Sequence, residues 1–353
     1  MDPRPSNSMT DHVVNRRKNT AQILAVRLCF AFAVFVLSLF ALEIVCRIAD
    51  LGESRDVAHY VSDWHAAPGG RTFWVVRGPG FNADGMRDRA HDVENKDGAH
   101  RIVCLGDSVT FGQGVAQHET YPFLLEALLK QRGLNAEVFN IAVSGWSTRQ
   151  QVTAYREIAR RYRPDQVFLG FCLNDVAEMH NNLAAPPAAP VRWLARHSAL
   201  TRWLIDAEGR QIHSVEELLR NPDAPAVRAG WTLVFAELEA LARDTRADGT
   251  GLSVLIFPFR LQLANDAPAP IAQQGLFAWC RKRGIPCLDL LPALRRTGPR
   301  AFVDESHLSE AGARAVAEEL VRWGTTGCIM CGRDMSDVPS EACPDCGHPA
   351  DPR

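Results

Sequence analysis

The chain has no excess of either charge. Its 39 Lys and Arg against 41 Asp and Glu leave a net charge of −2. That removes any whole-chain electrostatic reason to expect a nucleic-acid partner. Lysine is scarce, with only Lys18, Lys96, Lys130 and Lys282, so arginine supplies nearly all the positive charge. We read this bias as genome base composition rather than as a binding signal. The 353 residues leave room for about two domains, and a 46% hydrophobic share excludes global disorder. Cysteine is not scarce. There are 10, and four of them crowd the C-terminal tail, so the two ends of the chain need separate treatment.

Charge is also missing from Leu28 to Leu42, a run of Leu, Phe, Val and Ala that extends through Glu43 to Cys46. At 1.5 Å per residue it measures about 28 Å, close to the roughly 30 Å hydrocarbon core of a bilayer. Arg4, Arg16, Arg17, Lys18 and Arg27 precede it, whereas Arg47 and Arg55 follow among Asp50, Glu53, Asp56 and Asp63. The positive-inside rule then puts the N-terminus in the cytoplasm. The expected order is a cytoplasmic tail over 1–20 and a transmembrane anchor over 21–49, with everything beyond outside the cytoplasm, in a bacterial periplasm. A cleaved signal peptide is a rival reading, but Phe40-Ala41-Leu42-Glu43 lacks the small residues of a cleavage site. A buried soluble helix is another, but the run lacks a polar stripe. Glu43 and Arg47 are spaced to pair at the membrane surface.

Residues 50–100 read as an irregular lead-in. From Arg101 the pattern alternates. Strands are expected over 101–105, 137–141, 166–171, 253–257 and 285–288. Helices are expected over 121–131, 149–162, 229–247 and 271–283, with a last one capped by Ser309 and running to about Trp323. Such alternation with continuously apolar strands specifies a parallel five-stranded sheet covered by helices on both faces, in an α/β class fold. An insertion at about 180–228 interrupts it. Within the insertion 191–205 looks amphipathic, and it reads either as a lid or as a surface excursion.

Ligands bind beyond the carboxyl ends of the strands in open parallel sheets. Gly106-Asp107-Ser108 follows the first strand, Asn140 to Gly145 the second and Asn174-Asp175 the third. These deliver a hydroxyl, a backbone donor and a side-chain amide to one edge. Glycine at 106 permits a tight turn. Asp107 reads as a turn and helix-start residue and Asp175 as structural. Asp304-Glu305-Ser306-His307 precedes the last helix, at a spacing that lets the carboxylate meet one ring nitrogen while the other faces Ser108. A serine hydroxyl needs such a base, and the base needs a fixed tautomer. The N–H of Ser108, the N–H of Gly145 and the Asn174 amide form the candidate oxyanion hole.

The segments GDSVTFGQGV (106–115), NIAVSG (140–145), LND (173–175) and DESHLSEAG (304–312) resemble, in their order, the SGNH hydrolase (GDSL-like lipase/acylhydrolase) superfamily. The resemblance spans about residues 101–323. It implies a three-layer α/β/α, flavodoxin-like sandwich, with Ser108 as nucleophile, His307 as base and Asp304 as its orienter. It also implies Ser108, Gly145 and Asn174 as oxyanion donors. Cys172 stands where the family often has glycine, and Val109 where it usually has leucine.

In the tail over 324–353, Cys328 and Cys331 form one CxxCG knuckle, and Cys343 and Cys346 form a second. Four thiolates so spaced match a closed, structural zinc ribbon without an open catalytic position. Disulfides are the alternative in an oxidising compartment. No cofactor is expected for catalysis, and the sequence does not identify a protein partner for the ribbon. Cys104, Cys172, Cys280 and Cys287 read as small buried hydrophobes. The expected activity is that of a membrane-anchored serine esterase or deacylase acting on a small acyl ester of a carbohydrate or lipid. An O-acyltransferase using the same residues, and a non-catalytic binding or scaffold protein, are the alternatives.

Overall fold

In the computed structural model the described residues are 8–49, 61–176, 189–205, 215, 218–264, 267 and 269–326. The four tail cysteines lie outside them. Among the described residues no cluster of His, Cys, Asp or Glu is arranged to hold a metal ion. Two units are distinguished, Met1–Glu53 with Pro187–Asp206, and Ser54–Pro186 with Ala207–Arg353.

In the first unit a single helix runs from Ser8 to Ile48. Its Val26–Ile48 segment is 23 residues long with a mean hydropathy of 2.6, long and apolar enough to cross a membrane, and none of its most apolar stretch is buried against protein. A signal sequence passes the same test of length and composition. The insertion contributes helices Ala189–His197 and Ala199–Ile205. The single amphipathic stretch expected over 191–205 is thus broken at Ser198. The reason is local: Ser198 Oγ accepts the Thr201 N–H at 3.0 Å and starts the second helix.

The second unit opens on an antiparallel hairpin of β1 (Val61–Ala67) and β2 (Arg71–Arg77), closed by Pro68-Gly69-Gly70. This corrects the irregular lead-in. Apolar Phe73 to Val76 are buried, and both glycines take positive φ in the turn. Then come β3 (His100–Gly106), β4 (Ala136–Ala142), β5 (Gln166–Cys172), β6 (Gly251–Phe257) and β7 (Cys287–Asp289). They form one parallel sheet in the order β4-β3-β5-β6-β7. β7 begins two residues later than expected because Pro286 has no N–H for the ladder; only its carbonyl pairs, with Val254 N.

Helices Tyr121–Gln131, Leu291–Thr297 and Glu310–Thr326 pack on one face. Thr148–Glu157 and Pro225–Asp248 pack on the other, where Phe235 also stacks on Trp279 of helix Ile271–Arg283 at 5.8 Å. The expected helix over 149–162 ends at Glu157 and tightens into a 3₁₀ turn, Ala159–Tyr162, ahead of Pro164. Cys104, Cys172 and Cys280 are fully buried as expected. Cys287 is only partly buried, and the neighbouring Cys280 thiol pushes its own thiol up.

Candidate active site

The chain enters the sheet at β3, turns to β4 on one side, then crosses back to β5 on the other. Ligands bind at such a reversal, beyond the carboxyl ends of the flanking strands. β3 ends at Gly106, and Ser108 begins a four-residue helix, Ser108–Phe111. Asp107 caps that helix, its Oδ1 accepting the Val109 N–H at 3.0 Å. Gly106 was expected for its turn conformation, but its φ is not positive. Its role is close approach. A Cβ there would lie 2.1 Å from Thr110 Oγ1, and one on Gly170 of β5 would lie 2.4 Å from the same atom. Two bare backbones therefore let the short helix sit directly on the sheet, where Thr110 Oγ1 meets Tyr121 OH at 3.1 Å.

Ser108 and His307, 199 positions apart, are both buried and meet here. His307 Nε2 lies 2.9 Å from Ser108 Oγ, and His307 Nδ1 lies 2.7 Å from Asp304 Oδ2. The other Asp304 oxygen accepts the N–H groups of Ser306 at 2.9 Å and His307 at 2.8 Å. These fix the carboxylate, which fixes the ring. Burial pushes the Asp304 carboxyl up, but the His307 ring and these amides outweigh it and hold the group below its usual value. A serine, an imidazole and an ionised carboxylate in this line can transfer a proton from hydroxyl to ring.

The three residues expected as oxyanion donors are placed less uniformly. Ser108 N belongs to the first turn of its helix, whose amides have no intrahelical acceptor. Asn174 is buried just beyond β5 and donates through Nδ2 to Asp107 Oδ2 at 3.1 Å. Asp107 thus ties the Ser108 helix to the asparagine. Gly145 lies beyond β4 with φ +82, a left-handed conformation that suits glycine. Among the described residues, no hydrogen bond joins Gly145 to Ser108 or Asp304. Its neighbour Ser144 donates to Gln113 Oε1 at 2.9 Å, and Gln113 N donates to Ser108 O at 3.0 Å.

Residues 104–315, more than half of the chain, match the model of the GDSL-like lipase/acylhydrolase family. The chain belongs to this family. It is an ester-bond hydrolase. Several solved structures are similar to this acylhydrolase. One is a member of the lipolytic protein G-D-S-L family from Veillonella parvula, at 16% identity and a TM-score of 0.41, with 64% of this chain and 97% of that chain covered. A catalytic mutant of an acetylxylan esterase from Geobacillus stearothermophilus has 17% identity and a TM-score of 0.43, with 63% and 93% covered. An alpha/beta hydrolase enzyme from the metagenome of Lake Arreo has 19% identity and a TM-score of 0.42, with 63% and 94% covered. At such identities and scores these likenesses say nothing about substrate. No curated protein matches the chain.

Two features of the acylhydrolase site were not read from its sequence. The first is the hairpin. Trp146 Nε1 donates to Trp74 O at 2.9 Å, and a Cβ on Gly145 would touch the Trp74 ring at 3.4 Å. β2 therefore backs the Gly145 turn. Gly69-Gly70 was the available turn signal. The second is the buried pair Asp107 and Asp175. Burial raises both carboxyls, and the Asp107 charge raises Asp175 further, well above the usual range. Asp175 was read as structural, and Gln151 Nε2 indeed holds both its oxygens at 3.3 and 3.4 Å.

Proposed function

We propose that the chain is a membrane-anchored serine esterase that removes a small acyl group from a carbohydrate or lipid. The observation that carries this reading is the continuous line from Ser108 Oγ through both His307 nitrogens to Asp304 at 2.9 and 2.7 Å. Ser108 Oγ attacks the acyl carbonyl carbon, and its proton passes to His307 Nε2. The carbonyl oxygen becomes an oxyanion facing the Ser108 N–H, with Asn174 and Gly145 as the further donors. The carbon–oxygen bond to the alcohol breaks, and His307 returns the proton to the leaving oxygen. Water, deprotonated by the same ring, then attacks the acyl-serine, releases the acid and restores Ser108. Asp304, held ionised, keeps the Nδ1 proton in place and stabilises the imidazolium.

The full chain in detergent should hydrolyse p-nitrophenyl acetate and be labelled by a fluorophosphonate on Ser108. Equal rates in wild type and Ser108→Ala would remove this serine from the mechanism. Rates on a panel of acetylated sugars and short-chain esters then set the substrate class. The anchor assignment is supported by the exposed apolar Val26–Ile48 segment. We also propose that Cys328, Cys331, Cys343 and Cys346 hold one structural zinc, supported by their doubled CxxCG spacing. Metal analysis should return one zinc per chain, with the four thiols protected from alkylation until a chelator is added. Absence of zinc, with four cysteines unreactive until reduced, would assign disulfides instead.

A further inference from the structure

The base of the long helix is engaged with the insertion. Glu43 accepts through Oε2 from Ser198 Oγ at 2.8 Å and from Leu200 N at 2.9 Å, and through Oε1 from Ala199 N at 2.9 Å. Arg47 donates to Glu43 Oε1 from Nε and to the His197 carbonyl from Nη2, each at 2.8 Å. Glu43 and Arg47 do pair as their spacing suggested, but the pair's larger role is to grip the corner between two helices. Cys46 and Ala199 are buried at this junction. Glu43 and Arg47 lie in the last turns of the apolar Val26–Ile48 segment. The corner they hold is therefore fixed where that segment ends.

The two held helices leave apolar side chains in the open. Trp193 is 62% exposed, Leu194 46% and Leu204 61%. The His197 ring packs on Trp193 at 4.8 Å. The stretch 189–205 also carries Arg192, Arg196 and Arg202 and no acidic residue. Exposed Trp and Leu with a purely basic charge set is the composition of helices that lie in the headgroup region of anionic bilayers. Tryptophan in particular favours the boundary between acyl chains and water.

We propose that residues 189–205 form a membrane-interface platform. Trp193, Leu194 and Leu204 enter the headgroup boundary of the bilayer that the long helix spans. The Glu43–Arg47 clasp sets their depth, and the purely basic charge of the stretch favours anionic lipid. The occupant of this apolar surface is lipid, because the surface is tied directly to the end of the membrane segment. The inference rests on the anchor assignment proposed above and also supports it. Cleavage of the long helix would strip the insertion of the carboxylate that three of its donors share.

The test uses the full chain in vesicles of phosphatidylcholine and phosphatidylglycerol, with and without brominated acyl chains that quench nearby tryptophan. Flotation in carbonate first reports the anchor. Bromolipid is then expected to quench wild-type fluorescence, and Trp193→Phe, a substitution that keeps an aromatic ring, should lose a large part of the quenched signal. Raising the phosphatidylglycerol fraction should increase the quenching. A chain that floats, yet is quenched equally in wild type and Trp193→Phe, overturns the platform and leaves the anchor standing. A chain that does not float overturns both. Leu204→Asn provides a second reading: it should shift the Trp193 emission to the red, and no shift in vesicles counts against the proposal.

Discussion

At the amino end of the sheet, the buried arginine is paired. Arg101 is 2% exposed. It pairs with Glu137 at 2.9 Å and donates to the carbonyls of Asp92, Val93 and Tyr162. Glu137 also meets His91 at 2.8 Å, and His91 meets Asp88 at 3.0 Å. At the carboxyl end, Asp107 and Asp175 are both fully buried, and among the described residues neither enters an ion pair. Burial therefore raises both carboxyls there, whereas the amino end closes its network on an arginine. The contrast separates two uses of buried charge. A closed ionic network fixes how β3 and β4 start. The other end keeps two raised carboxyls close to the Ser108 hydroxyl, and perturbed groups concentrate at functional sites.

If this division is right, substitutions at the carboxyl end cut turnover and spare stability, and substitutions at the amino end do the reverse. The largest expected effect is Ser108→Ala. Loss of the nucleophile should lower kcat by about 10⁴-fold or more. The melting temperature should stay within a degree or two, since only one hydroxyl is removed. A Ser108→Ala protein that melts far below wild type would show that the active edge also holds the fold together.

Arg101→Met tests the opposite end. It leaves the partly buried Glu137 with one partner fewer and three carbonyls without their donor. Breaking a buried pair from one side costs about 3–5 kcal/mol, or roughly a 10 °C fall in melting temperature for a domain of this size. Turnover per folded molecule should hold within about twofold, as determined by active-site titration with a fluorophosphonate. A selective loss of kcat would break the comparison. Asn174→Ala is expected to be intermediate. Removing one oxyanion donor costs on the order of a hundredfold in kcat, with KM for a small ester little changed. Because Asn174 also donates to Asp107, a modest loss of stability should accompany it.

How much of this was legible beforehand depends on the range over which each signal acts. Ser108 and Asn174 directly follow apolar runs, so strand ends could be counted and the site edge inferred. His307 and Asp304 lie three residues apart, and that spacing suffices to bring carboxylate and ring together. The five strands and the order of their helices were readable for the same local reason. Contacts between distant segments were not. Nothing in Gly106-Asp107-Ser108 says that Asp107 will hold an amide 67 positions later. Nothing in Glu43 says that its acceptors will serve residues more than 150 positions away. The hairpin was missed differently. Its strands mix Asp63, His65 and Arg71 with apolar residues, so their alternation is weak, and only Gly69-Gly70 marked the turn. Ser198 broke a stretch that periodicity joined, because a hydroxyl that captures an amide outweighs a continuous apolar face.

The smallest expected effect sharpens the comparison most. Burial raises the Asp175 carboxyl first, and the charge of Asp107 raises it further, while Thr148 and Gln151 act in the opposite direction. The native state therefore holds this proton more tightly than the unfolded chain, whose aspartates titrate near 3.9. Stability linked to Asp175 is complete below that value and declines as pH rises through it toward the higher native value. Asp175→Asn retains the size of the side chain and removes the titration. The variant should match wild type near pH 4 and exceed it at neutral pH, so its stability curve is flatter between the two. Chemical denaturation at several pH values measures this directly. At the amino end, where Arg101 pairs with Glu137, Glu137→Gln should give the opposite sign, less stable than wild type at neutral pH. Equal signs at the two ends would mean that both carboxylates are compensated alike. A drop of more than tenfold in kcat for Asp175→Asn would mean that its proton, and not only its bond from Gln151, takes part in the reaction.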